Sequence, residues 1–296
     1  MIIVKLIGGL GNQMFQYAVG QSLAQVRKIG VAFDLTELLD RTHKENFTYR
    51  DFELGVFEAC VDIATDELLL PFTCKPNSLL KRVYYKVLRI IKQVQYYKEN
   101  KYFVYEPGVW HTSPNTYLDG YWQSELYFKQ CEQLVRTCFK FKAPLAGKNQ
   151  QLAQQIQSEN SISIHVRRGD YVSNQHLNEV HGTCSPAYYQ AAISLITNQV
   201  ENPTLYVFSD EPEWVAQNML FDYPVTYISH NTGANSFEDM RLMSLCTHNI
   251  IANSSFSWWG AWLNSNPHKL VVAPQRWMQS NIVDTTDLIP SEWIRI

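Results

Sequence analysis

Two rhythms of apolar and polar positions run along this chain. Short β-branched runs bounded by glycine, proline or polar residues read as strands, and longer stretches with apolar residues three and four apart read as helices. One series opens with Ile2-Ile3-Val4-Lys5-Leu6-Ile7, continues through a helix over 12–28 and reaches a second strand, Val31-Ala32-Phe33, that ends at Asp34. A second series opens with Ile162-Ser163-Ile164-His165-Val166, passes through a helix over 186–197 and reaches Leu205-Tyr206-Val207-Phe208. Further strands are predicted at 225–228, 250–252 and 270–273, with a helix over 237–246. Alternation of this kind builds mostly parallel sheets, so the predicted fold class is α/β.

Between the series, 141–150 collects Pro144, Gly147 and polar residues and reads as a linker. It divides the chain into a first domain over 1–147 and a second over 148–296, with the last helix free to pack back on the first domain. No internal repeat or low-complexity tract interrupts either series. A local bias covers 79–101, where Lys81, Arg82, Lys86, Arg89, Lys92, Lys98 and Lys101 meet a single acid, Glu99, among aliphatic and tyrosine residues. It predicts a basic amphipathic helix. An ordinary helix with a solvated basic face is one reading; peripheral contact with the inner surface of an anionic membrane is the other.

At 296 residues, with 46% hydrophobic and 18% charged, the chain has material for a sizeable core. A net charge of -3 gives no reason to expect a nucleic-acid partner, since that binding rests on lysine and arginine neutralising phosphates. The six cysteines contain no CxxC and are sparse for a disulfide framework, so free, buried thiols are expected. The opening residues read as a core strand and not as a signal peptide, and no apolar run is long enough to span a bilayer; a cytoplasmic location is expected.

Four constellations carry chemistry. Gly8-Gly9-Leu10-Gly11-Asn12-Gln13 follows a strand and opens a helix, where glycines admit a ligand and free N–H groups face an anion or a polar sugar. A dinucleotide fingerprint is its rival, with Asp34 placed 23 residues after Gly11, yet the third glycine of that fingerprint would fall at Met14. His165-Val166-Arg167-Arg168-Gly169-Asp170 again lies just past a strand. Two adjacent guanidiniums at a sheet edge call for anions, either a diphosphate or a structural pairing of one arginine with Asp170. Ser209-Asp210-Glu211-Pro212 ends another strand, where one residue can cap the next helix and a carboxylate can read a guanine base. Asn253-Ser254-Ser255-Phe256-Ser257 leads a strand into an apolar helix with more hydroxyls than one cap requires. The sequence has no Asp-x-Asp, and its eight histidines show no metal spacing, His176 and His181 being five apart. No metal is expected.

Taken with Met14-Phe15-Gln16-Tyr17, Gly120-Tyr121-Trp122-Gln123-Ser124, Tyr171 and Trp258-Trp259, these motifs resemble the bacterial α-1,2-fucosyltransferases over nearly the whole chain. The arginine motif is shared with α-1,6- and protein O-fucosyltransferases; the amino-terminal and serine-tryptophan motifs favour the α-1,2 branch. The resemblance implies a GT-B architecture of two Rossmann-like domains facing a cleft, and inverting transfer of L-fucose from GDP-β-L-fucose. The donor would lie in the carboxyl-terminal half. The acceptor, a galactose-terminated oligosaccharide or lipid-linked glycan of a surface polysaccharide, would lie in the other. By motif, Arg167 would hold the β-phosphate, with Arg168 and His165 supporting diphosphate and ribose. Asp210 would read guanine, Asn253, Ser254, Ser255 and Phe256 would line the phosphate side, and Gly11 and Asn12 would close over the donor. Asp170 joins the catalytic set. The general base stays open among Asp170, Asp34, Glu106, Asp119 and Glu125. Two other classes stay in view: a carbohydrate-binding protein stacking sugars on its eight tryptophans, and a nicotinamide-dependent oxidoreductase using Gly9, Gly11 and Asp34.

Overall fold

The computed structural model describes residues 1–42, 49–73, 78–169, 178–180, 182–279 and 283–296, the side chains of 81 and 85 excepted; Asp170, Tyr171, His176, His181 and Cys74 lie outside the described residues. Two compact units separate, Met1–Lys142 with Asp284–Leu288, and Ala143–Val283 with Ile289–Ile296. The chain thus passes from one to the other within the predicted linker. The segment that rejoins the first unit is a turn at 284–288 and not a terminal helix.

The first unit holds a four-stranded sheet of β1 (Ile2–Lys5), β2 (Val31–Asp34), β3 (Val94–Lys98) and β4 (Asn115–Asp119) in the order β2-β1-β4-β3, every pair parallel. Ile2, Ile3 and Val4 are completely buried, and helix α1 (Leu10–Arg27) lies along β1 and β2. Close packing comes from Gly20: a methyl group there would stand 2.7 Å from Val4 Cγ2. Helix-to-strand approach of the dinucleotide type is therefore provided at Gly20, further along the helix than Met14, which is itself core.

The predicted helix over 79–101 is shorter than expected. Helix α2 (Leu79–Ile91) stops at Ile91, Gln93 turns the backbone left-handed with φ 49°, and Val94–Lys98 pairs along its whole length with β4. Tertiary pairing of Val94, Tyr96 and Tyr97, good strand formers, overrides the helical reading of the charged positions.

The second unit has six parallel strands, β5 (Asn160–Val166), β6 (Pro203–Ser209), β7 (Val225–Ile228), β8 (His248–Ile250), β9 (Val271–Ala273) and β10 (Ile294–Arg295), ordered β10-β9-β8-β5-β6-β7. Counted from β5 as the first strand, this is the doubly wound 3-2-1-4-5-6 order. Helix α3 (Pro186–Thr197) begins with Ser185 capping the Tyr188 N–H and Pro186 in its first turn, and buries Tyr189, Ala192, Ile193 and Ile196 against the strands. Both sheets are wholly parallel among the described strands, as the alternation predicts.

Candidate functional site

In an open parallel sheet a ligand crevice forms where the strand order reverses, outside the carboxyl ends of the strands. In the second unit that point lies between β5 and β8. The arginine motif leaves β5 there and the serine turn leaves β8 there, so two of the sequence motifs flank one switch point.

Both arginines are held. Arg167 Nη1 meets Asp210 Oδ2 at 2.8 Å, and the other oxygen of that carboxylate accepts the Arg168 N–H at 2.9 Å. Arg168 Nε donates to Glu211 Oε2 at 3.0 Å, and its guanidinium lies 3.3 Å over the Trp214 ring. These partners come from the turn between β6 and helix α4 (Pro212–Asn218), where Ser209 Oγ accepts the Glu211 N–H and Pro212 begins the helix. Gly169 permits the arrangement, since a Cβ there would sit 2.5 Å from Asp210 Oδ2. The acid expected to read a base is engaged with the arginine turn, and both arginines have acidic partners from the β6 turn.

His165, at the end of β5, is buried with its ring 5.8 Å from that of Phe256. Burial, reinforced by the Arg167 charge, pulls its pKa down to about 3, so the ring is neutral at working pH. Its Nδ1 is buried without a hydrogen-bond partner among the described residues, and its carbonyl accepts the Tyr189 hydroxyl at 3.1 Å.

The serine turn divides its labour. Ser254 Oγ caps helix α5 (Ser255–Leu263) by accepting the Phe256 N–H at 3.3 Å, and Ser257 donates back to the carbonyls of Ala252 and Ser254. Asn253 is buried and clips the loops around it, donating to the carbonyls of Gly182 and Trp277 at 3.2 Å. Ser255 and Phe256, in the first turn of α5, are half-buried.

The first unit has a switch point of its own with different chemistry. Its order reverses between β1 and β4, and there the glycine motif faces the Gly120–Ser124 motif. Asn12 Oδ1 accepts from Gln123 Nε2 at 2.6 Å, and Gln16 bridges the two turns by accepting the Ile7 N–H and donating to the Gly120 carbonyl. Gln13 ties Gly11 and its neighbours to the loop at 51–53, donating to the carbonyls of Gly8 and Asp51 and accepting the Glu53 N–H. Trp122 is fully buried with a left-handed φ of 56°, a strained conformation for a side chain of that size. Buried Glu99 secures it by accepting the Tyr121 N–H at 2.7 Å and the Trp122 N–H at 3.2 Å. Burial pushes the Glu99 pKa up to about 7 against the lowering effect of those two bonds.

The acids left open in the first unit have structural partners. Asp34 accepts from the Tyr117 hydroxyl and from the N–H and hydroxyl of Thr36; Glu106 accepts from Tyr97 and from Asn100 and Lys101; Asp119 pairs with Lys5, and Glu125 with Lys129. With its carboxylate so occupied, Asp34 does not offer the ribose contact that a nicotinamide reading needs. Six of the eight tryptophans are buried and Trp214 lies under Arg168, so tryptophans do not form the stacking surface that a sugar-binding module would use. Among the described residues no three His, Cys, Asp or Glu side chains cluster as a metal would require. No disulfide links the described cysteines, of which Cys131 and Cys246 are buried.

Sequence reasoning missed Trp214 and Glu211 as holders of Arg168, and Glu53. The Glu53 carboxylate lies beside the start of α1, with Oε2 3.9 Å from where a Gly9 Cβ would stand, and burial raises its pKa. Only its place in a loop that folds back on the glycine turn reveals it.

Comparison with protein families matches the whole length. The model of the family described as "Glycosyl transferase family 11" matches residues 1–296. An "Alpha-1,2-colitosyltransferase" of Escherichia coli is 32% identical over 100% of this chain and 99% of its own. The "O-antigen biosynthesis glycosyltransferase WbnK" of Escherichia coli is 31% identical over 98% of this chain and 99% of its own. Among solved structures, the fucosyltransferase NodZ from Bradyrhizobium aligns at 16% identity with a TM-score of 0.47, covering 88% of this chain and 91% of that one.

Proposed function

The chain belongs to glycosyl transferase family 11, and on that premise we propose that it moves L-fucose from GDP-β-L-fucose to the 2-hydroxyl of a terminal β-galactoside, with inversion at the anomeric carbon. The observation that carries the reading is the pair of guanidiniums at the second unit's switch point, tethered by Asp210 and Glu211 beside the N-terminus of α5. In glycosyl transfer from a nucleotide sugar, negative charge grows on the leaving diphosphate while the sugar becomes oxocarbenium-like. Donors fixed in advance where that charge develops stabilise the transition state without reorganising.

Arg167 would hold the β-phosphate and stabilise departing GDP. Arg168 would support it, and neutral His165 would turn its unpartnered Nδ1 toward the donor. Ser255 and the N-terminus of α5 would face the phosphate oxygens. Charge stabilisation by arginine replaces that of a metal ion, so no metal is needed. In the first unit, the amides around Asn12 and Gln123 suit the hydroxyls of a galactose-terminated oligosaccharide or lipid-linked glycan. Glu53, set at the glycine turn with a raised pKa, would take the proton of the attacking hydroxyl. The name of the O-antigen glycosyltransferase supports a role in surface polysaccharide synthesis, and that of the colitosyltransferase favours a second donor, GDP-colitose, which differs from GDP-fucose by lacking the 3-hydroxyl.

The test is GDP release from GDP-fucose with lactose or lacto-N-biose as acceptor and EDTA throughout, followed by linkage analysis. Acceptor-dependent release with fucose on O2 of galactose is expected. Turnover of GDP-colitose but not GDP-fucose would move the donor; binding of neither would overturn the reading.

A further inference from the structure

Helix α2 (Leu79–Ile91) carries its apolar residues outward. Leu79, Leu80, Val83, Val87, Ile90 and Ile91 are between 48% and 83% exposed, and Tyr84 beside them is 61% exposed. At 100° per residue these positions fall within a single arc of about 140°. The side of the helix that meets the protein carries half-buried Leu88 and Arg89, and Arg89 donates from Nε to the Pro71 carbonyl at 2.7 Å. A surface helix of a globular protein normally turns its apolar stripe to the core. Here the stripe faces out, which is a different matter from the solvated basic face expected of an ordinary helix.

We propose that α2 is an in-plane anchor that seats the protein on a bilayer containing anionic phospholipid. Two features select the occupant. The helix has no acidic residue, and the exposed Arg82 and Lys86 border the apolar arc, where their stems can reach up to phosphate headgroups while the leucines and isoleucines enter the acyl boundary. An arc this wide suits a lipid surface, which contacts a whole half-cylinder; a partner helix in a coiled coil needs only a narrow a/d seam. Two copies meeting through this face would set one basic rim against another, whereas anionic headgroups attract it. No described helix is long and apolar enough to cross a membrane, so attachment of this kind is peripheral. The inference does not depend on which sugar is transferred.

Co-sedimentation of the full chain with sucrose-loaded vesicles tests it, using phosphatidylglycerol mixed with phosphatidylcholine against phosphatidylcholine alone. Binding to the anionic vesicles is expected. Arg82→Gln/Lys86→Gln should weaken it roughly 30-fold, at about 1 kcal/mol for each basic residue near the surface. Leu80→Glu/Ile91→Glu should abolish binding while leaving the melting temperature unchanged, because both side chains are already in water. Equal binding by wild type and the glutamate variant, or no preference for anionic vesicles, would overturn the proposal. So would a concentration-dependent dimer that the glutamate variant dissolves in the absence of vesicle binding.

Discussion

At the switch point of the second unit four charged side chains gather, Arg167 and Arg168 against Asp210 and Glu211, whereas at that of the first the groups that meet are the amides of Asn12, Gln13, Gln16 and Gln123. The topological position is the same in both sheets, between a first strand and the strand that reverses the order. What differs is the ligand each can hold. Tethered guanidiniums offer more donors than single carboxylate oxygens can accept, and they remain charged at any working pH, which suits a diphosphate. Amides donate and accept without charge, which suits the hydroxyls of a sugar. Two different parallel sheets are thus specialised by the residues that follow the strands flanking each switch point.

Variants can break this division of labour. Arg167→Ala should produce the largest effect, lowering kcat roughly 100-fold or more; Asp210→Asn, which keeps the guanidinium but loosens its tether, should raise the donor KM about 10-fold, a loss near 1.4 kcal/mol. Unchanged kinetics in a folded Arg167 variant would remove the arginine turn from the donor site. Glu53→Gln should lower kcat about 100-fold with the donor KM unaltered, and a kcat close to wild type would take the proton elsewhere. Asn12→Ala should be milder, raising the acceptor KM about 5-fold, as loss of one neutral hydrogen bond worth about 1 kcal/mol would do. A change in donor KM alone would instead assign the amide cluster to the nucleotide.

Titration sharpens the contrast with little expected effect on rate. Glu99 has a folded pKa of about 7, above its ordinary 4.5, because burial opposes its charge. The folded state therefore holds the extra proton, and the stability that Glu99 contributes falls as pH rises from about 4.5 to about 7, then stays constant. Denaturant unfolding should show the wild type losing roughly 3 kcal/mol relative to Glu99→Gln across that window. His165 runs the other way: with a folded pKa near 3 against 6.5, its contribution is complete above the ordinary histidine value and is lost as pH falls toward 3. A flat difference between wild type and Glu99→Gln would mean that the turn at Trp122 does not depend on a buried neutral acid.

Much of this was legible in the residue pattern. Seven of the strands follow from short β-branched runs, and the arginine and serine motifs announce themselves because their residue types are costly at a sheet edge without a ligand. β3, β4 and the two-residue β10 are not legible; the charged residues of 79–101 mimic an amphipathic helix, and only pairing with Asn115–Asp119 makes a strand of Val94–Lys98. Nor were the carboxylates that hold the arginines. Asp210 and Glu211 lie more than forty residues from them and reach them because β5 and β6 are in register, Val166 beside Ser209. Glu53 and Glu99 are hidden for the same reason, each being brought to its turn by chain that is distant in sequence.

The short return of Asp284–Leu288 to the first unit has a bearing on how the protein is made. Asp287 accepts the Tyr105 N–H through its carboxylate and the Ser124 hydroxyl through its carbonyl, so the turn after β4 is completed by residues near the end of the chain. On a ribosome adding about 5–20 residues per second, the stretch from 142 to 287 takes on the order of ten seconds to appear. Throughout that interval the Gly120–Ser124 turn of the nascent first unit lacks the hydrogen bond that the Asp287 carbonyl accepts from Ser124. Translation of the second unit is therefore part of the folding schedule of the first.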